Sequence, residues 1–282
     1  LSKIAKPDVA VITNIGTAHI GLLGSRQNIL KAKLEILDGL KENGTIVINY
    51  DNDLLNNWYE KEKGKYNIIT YGTQNGSMVL GKNAVFHENG TDCEAVINEK
   101  EYKVHIPVGG EHFVSNSLCA LSIAKIFEIP IEKALKGIEN FELTKKRMEI
   151  KQAKCGAMVI NDCYNANYDS MKAALDYLGK LPNTPKIAVL GDMLELGEYS
   201  QTLHERVGEV VAENKIDILI CVGNESKNIL KTAEKGGIKN VFHCNTNEEA
   251  IDILNKELNK DGVVLLKASN GLKFTEICDA IC

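Results

Sequence analysis

The sequence predicts an α/β protein in two parts: a first part joining strands and helices to a β-meander flap, and a second part built on a mostly parallel sheet. Three observations carry that expectation. After Phe141, the segments AMVIND, KIAVLGD, DILICVG, NVFHC and GVVLLKAS alternate with helical stretches of about a dozen residues, the signature of repeated βα units. Between residues 66 and 106 the apolar period shifts to two, in YNIITYG, SMVLGKNAVFH, CEAVIN and EYKVHIPV, with turn pairs at Asn75-Gly76 and Asn89-Gly90. The longest apolar runs, Ile216 to Val222 and Gly262 to Leu266, have the length of buried parallel strands and are far too short to span a bilayer.

In chain order, residues 8–13 (DVAVIT) read as a strand, and residues 25–38 as a helix opened by Ser25. Residues 45–49 (TIVIN) form a second strand, followed by helix-capping chemistry in Asn49-Tyr50-Asp51-Asn52-Asp53. The meander comes next, then helices over 111–127 and 131–139. The basic linker ELTKKRME marks a boundary, giving domains 1–143 and 144–282.

A chain of 282 residues with 44% hydrophobic and 25% charged composition is globular and long enough for two cores. Its net charge of −5 and pI near 5.8 offer nothing to nucleic acid or an anionic membrane. None of the eight cysteines forms a C-x-x-C pair, so they read as reduced core thiols of a cytoplasmic protein. The chain opens on Leu1-Ser2-Lys3 with no initiator Met, signal or transit peptide, and is expected to be a cut chain that starts inside a domain.

Polar residues collect where strands end. His19 lies in TNIGTAHIG directly after the first strand, at a carboxyl end where open α/β sheets bind ligands; a capping or surface histidine is the plainer alternative. Lys33 falls near the middle of the helical arc formed by Ile29, Leu30, Ala32, Leu34, Ile36 and Leu37. Such a lysine either snorkels to solvent or is a functional amine at the edge of a site. Asn116 follows GGEHFVS at a helix start, Arg147 sits in the linker, and Asp162, Tyr164, Asn165 and Asn167 crowd the exit of the strand AMVIND. The last strand ends with Lys267 and Ser269.

TNIGTAHIGLLGSRQNILKAKLEI resembles the central-domain segment of Mur ligases, and two further segments are similar to the MurF type. NDCYNANYDSM resembles D-x-Y-N-A-N-P-x-S-M, with Tyr168 for Pro. LGDMLELG matches L-G-D-M-x-E-L-G, with His204 at the family's spacing; a structural role is expected for that histidine. By this resemblance His19 is a Mg²⁺ ligand and Lys33 is carbamoylated to become an anionic ligand for the same ion. Asn116 lies near the adenine, Arg147 reaches the nucleotide from the hinge, and Asp162 lies near the ribose. Tyr164, Asn165 and Asn167 face the reaction centre, and Lys267 and Ser269 contact substrate. Departures from the pattern are Gly21 for a glutamate, Phe113 for an asparagine, Lys146 for a glycine, and Ala268 and Asn270 within K-G-S-R.

The fold so implied is a partial central P-loop-type domain followed by a Rossmann-like C-terminal domain. The activity implied is ATP- and Mg²⁺-dependent joining of D-alanyl-D-alanine to UDP-MurNAc-tripeptide through an acyl phosphate, by a monomer. No G-T-x-G-K-T loop occurs in the 282 residues; Gly72-Thr73-Gln74-Asn75-Gly76-Ser77 reads as a turn, and these residues alone are expected to be inactive. The rival expectations are a non-catalytic scaffold derived from such a ligase, a sister ligase, and a nicotinamide enzyme, the last disfavoured by the lack of G-x-G-x-x-G.

Overall fold

The computed structural model describes residues 1–87 and 90–282. These residues form two compact units, one of Leu1–Gly16 and Leu23–Glu142, the other of Thr17–Leu22 and Leu143–Cys282.

The first unit holds a six-stranded sheet in simple sequential order: β1 (Val9–Ile12), β2 (Thr45–Asn49), β3 (Asn67–Gly72), β4 (Val79–His87), β5 (Gly90–Ile97) and β6 (Lys100–Ile106). β1 to β4 are parallel, and β4, β5 and β6 form an antiparallel meander. Ile46, Val47 and Ile48 of β2 are all fully buried, which requires cover on both faces because successive side chains point opposite ways. Helices Asp53–Glu62 and Glu111–Ile126 pack against this strand. The former is capped by Asn52, whose side chain accepts from the Leu55 amide as the capping chemistry predicts.

The meander is narrower than the period-two texture implies. YNIITYG forms β3, which pairs in parallel with β2 through Thr45↔Asn67 to Asn49↔Tyr71. An alternating pattern reports that one face is better covered than the other and carries no information on the direction of the neighbouring strand. Of the two predicted turns, Asn75-Gly76 lies between β3 and β4, while Asn89 of the second lies outside the described residues. The helix expected over 25–38 is an α-helix at Arg26–Leu34 that tightens into a 3₁₀ turn at Glu35–Gly39, with Ser25 accepting from the Asn28 amide.

The second unit carries β7 (Glu149–Gln152), β8 (Met158–Asn161), β9 (Lys186–Gly191), β10 (Ile218–Val222), β11 (Asn240–Cys244) and β12 (Val263–Lys267) in the order β11-β10-β9-β12-β8-β7. Only β7, at one edge, runs antiparallel to its neighbour. Ile187 to Leu190 and Val263 to Leu266 are completely buried, as expected of central strands sheathed on both faces. The order places β12 between β8 and β9, so the carboxyl-end loops of these three strands converge although they are far apart in sequence. No described helix is long and apolar enough to cross a membrane.

Candidate functional site

In the second unit, three loops are tied to one another at the carboxyl ends of β8, β9 and β12. Lys267, at the end of β12, is 1% exposed, and its ammonium donates to Asp162 Oδ2 at 2.5 Å and to the Asn165 carbonyl at 3.2 Å. Ser269 Oγ accepts from the Leu194 amide at 3.0 Å, and the Ser269 amide donates to the Asp192 carbonyl at 3.2 Å. Asp192 in turn accepts from the Ser226 and Asn224 amides after β10. The convergence comes from topology; the bonds make it rigid. Lys267, expected at the substrate, is turned inward and holds the Asp162–Asn165 loop, because a buried ammonium keeps its charge only where oxygens surround it. Ser269 is also buried and fixes the neighbouring loop.

Asp162 uses its other oxygen to accept from the Met148 amide at 3.1 Å, coupling the β8 exit to the linker. Lys146 has φ 66°, the left-handed region, which accounts for a glycine at this place in the resembling motif. Glu149 stabilises that bend by accepting from the Lys146 amide and from Asn161 Nδ2. Beside it the Arg147 guanidinium lies 4.0 Å from the centre of the exposed Tyr164 ring, presenting a cation and an aromatic face together. Cys163, between these residues, is no nucleophile: burial raises its thiol above the ordinary range.

Asn167 is the N-cap of helix Tyr168–Lys180, its Oδ1 accepting from the Ser170 amide at 3.0 Å while Ser170 Oγ accepts from the Asn167 amide. Tyr168 therefore occupies the first helical position, where proline is favoured, and the substitution leaves the helix start intact. Asn165 is exposed, with its Oδ1 accepting from the Ala166 amide. His204 is fully buried and structural. Its Nε2 accepts from the Met193 amide at 3.0 Å, so Nδ1 carries the proton and donates to the Ser200 carbonyl at 2.7 Å. Ser200 is the first residue of that helix, and its hydroxyl donates to Glu225.

A cavity of about 210 Å³ opens among these loops, lined by Asn165, Asn167, Leu194, Glu195, Asn270 and His19, among others. His19 belongs to this unit: its Nδ1 lies 2.7 Å from Glu195 Oε2, with both side chains more than half exposed. Two residues earlier, the Thr17 amide and hydroxyl both donate to Asp169 Oδ2 at 2.7 Å. The Glu195 and Asp169 contacts were not legible in the sequence, since 176 and 152 positions separate the partners. Gly21 explains its own departure from the family glutamate: a Cβ there would meet the Glu195 carbonyl oxygen at 2.6 Å and the Gly197 nitrogen at 2.7 Å.

In the first unit, the loop after β1 is gripped by three side chains. Lys33 Nζ donates to the Asn14 carbonyl at 2.6 Å, Arg26 donates to the Ile15 carbonyl, and Asn52 donates to Asn14 Oδ1. Lys33 is exposed, as a lysine that snorkels out of an apolar arc would be, and its helix fully buries only Ile29 while half-covering the rest of that arc. Asn116 is exposed on helix Glu111–Ile126, whereas Phe113, in place of the family asparagine, is buried against Phe141 and His112. The Gly72–Ser77 turn is the reverse of a phosphate cradle. Its Thr73 and Gln74 amides already donate to the Asp51 carboxylate, and a Cβ on Gly72 would strike that carboxylate at 2.5 Å.

Comparison with known proteins agrees with this architecture. Residues 1–124 match the Mur ligase middle domain, and residues 146–270 the Mur ligase glutamate ligase domain. The UDP-N-acetylmuramoyl-tripeptide--D-alanyl-D-alanine ligase of Bacillus subtilis (strain 168) is 37% identical over 279 residues, 98% of this chain and 60% of the relative. Crystallographic MurF from Acinetobacter baumannii superposes with a TM-score of 0.88 at 28% identity, covering 99% of this chain and 60% of that one. MurF from Thermotoga maritima in complex with ADP gives 0.86 at 25% identity, covering 99% of this chain and 62% of that one. The chain thus spans about three fifths of the length of these relatives. With both of its units matched in order along nearly the whole sequence, the chain belongs to the Mur ligase family.

Proposed function

We propose that these residues form the middle and C-terminal domains, 1–143 and 144–282, of a cytoplasmic ATP-dependent amide ligase. It would join D-alanyl-D-alanine to UDP-MurNAc-tripeptide through an acyl phosphate. The observation that carries this reading is the cavity in which His19 and Glu195 face Asn165 and the Asn167 helix start, on loops fixed by Lys267 and Ser269.

The donor chemistry suits a magnesium ion. Glu195 engages Nδ1 of His19 and thereby directs Nε2 outward, the usual way a carboxylate orients an imidazole ligand. A carbamate on Lys33, whose amine donates to the Asn14 carbonyl, would supply an anionic oxygen. His19 would be a ligand of the ion, which when bound offsets the charge developing on phosphate. Arg147 over Tyr164 offers a cation and a stacking face to a nucleotide; Asn116, exposed in the first unit, is proposed on its own account as an adenine contact. Asp162 keeps the linker residues and the β8 loop in one arrangement beside the ribose. Asn165 and Asn167 border the reaction centre, and Asn167 also caps its helix.

The test is a comparison of two polypeptides. The 282 residues contain no G-T-x-G-K-T run and are expected to give no phosphate release that depends on ATP and dipeptide. The same residues, joined to the part of the Bacillus subtilis relative that they do not match, are expected to turn over, and His19→Ala or Lys33→Ala in that fusion should lower kcat by at least about 100-fold. Full activity in both variants would overturn the assignment.

A further inference from the structure

A second cluster of metal-binding side chains lies on the meander of the first unit. His87 ends β4, Asp92 lies on β5 and His105 on β6. The strand register explains their meeting. Asp92 is directly opposite His105, and it pairs with Val85, two residues before His87, so the three side chains share one face in a diagonal row. His105 Nδ1 is 2.7 Å from Asp92 Oδ1, and His87 Nε2 is 3.2 Å from Asp92 Oδ2. The two imidazoles are nearly parallel, 17° apart with centroids 6.0 Å from each other, one on each side of the carboxylate.

We propose that His87, Asp92 and His105 form a binding site for a divalent transition metal, of the Zn²⁺ class, in which three protein ligands leave a coordination position open. One ligand atom from each residue lies within 4.8 Å of the other two. Bond lengths of about 2.0–2.1 Å in a tetrahedral site require ligand atoms about 3.3 Å apart, so the cluster needs to contract by no more than about 1.5 Å. The side chains can do this, because they are 35%, 62% and 41% exposed and move without disturbing the core below. Two imidazoles with one carboxylate select zinc, nickel or copper over magnesium, which prefers an all-oxygen shell. The site is therefore chemically distinct from the magnesium reading of His19 and Lys33, and it does not depend on the ligase assignment.

One further feature supports a ligand here. Asp92 and His105 also border a groove of about 860 Å³, lined further by Glu132, Lys136 and Glu139, which gives the open position access to solvent.

The experiment is titration of the metal-free 282-residue protein with Zn²⁺ alone, by calorimetry and by native mass spectrometry, with Mg²⁺ as the control cation. One zinc per chain is expected at micromolar or tighter affinity. Asp92→Asn and the double variant His87→Ala/His105→Ala should each weaken binding at least tenfold, with circular dichroism unchanged. A Co²⁺ derivative should lose its visible absorption in the double variant. Zinc uptake of equal strength in the variants would place the metal elsewhere, and no uptake in the parent chain would leave the three residues as an ion-paired cluster; either result overturns the proposal.

Discussion

Lys267 is the residue on which the C-terminal loops depend most. Its ammonium lies among the Asp162 carboxylate and two backbone carbonyls, with almost no water contact. Lys267→Met would leave the largely covered Asp162 carboxylate without its cation, and removing one partner of such a pair typically costs about 3–5 kcal/mol. Urea unfolding monitored by circular dichroism should show a loss of about 3 kcal/mol, part of it regained in Lys267→Met/Asp162→Asn. A loss below about 1 kcal/mol would mean that water replaces the ion pair. The sequence identified both residues but assigned them to ligands, because a strand-end lysine looks the same whether it points outward or into the protein. For Lys33 a helical wheel leaves the direction open: its apolar neighbours apart from Ile29 are only half covered, so the side chain reaches solvent.

At the scale of elements, most boundaries were legible because local chemistry sets them. Ser25, Asn52 and Asn167 each accept a backbone amide at a helix start. Asn167 combines this with a place at the cavity, and the two roles can be separated. Asn167→Ala should cost about 1 kcal/mol of stability, whereas Asn167→Asp should keep the cap and stay within a few tenths. Thermal unfolding reads the difference, and equal destabilisation by both would show that the amide nitrogen, not the oxygen, matters. The direction of β3 was not legible. Its alternation fits either neighbour, and only pairing with β2 across a crossover that contains helix Asp53–Glu62 fixes it as parallel.

For the whole molecule, the cysteines give a direct reading of how much of the chain is folded. Six of the eight thiols are buried, Cys93 and Cys119 in the first unit and Cys163, Cys221, Cys244 and Cys278 in the second; Cys155 and Cys282 are exposed. Burial pushes the Cys93 and Cys244 thiols up to about 11, so little nucleophilic thiolate forms at neutral pH. A chromogenic disulfide reagent at pH 8 should therefore find two fast thiols, with the other six released only as the units unfold. A third fast thiol in native buffer would contradict the packing. Composition and βα rhythm announced this two-part architecture. They could not announce that Thr17–Leu22 groups with the second unit, which depends on His19 meeting Glu195 and Thr17 meeting Asp169.

The bare α-carbon at Gly21 ties two distant stretches of the gene together. A backbone that lies against residues 195–197 leaves no volume for a side chain at position 21. Grafting a glutamate alone into this sequence would push its Cβ into the backbone of residues 195–197 and displace the very loop that holds Glu195 against the imidazole.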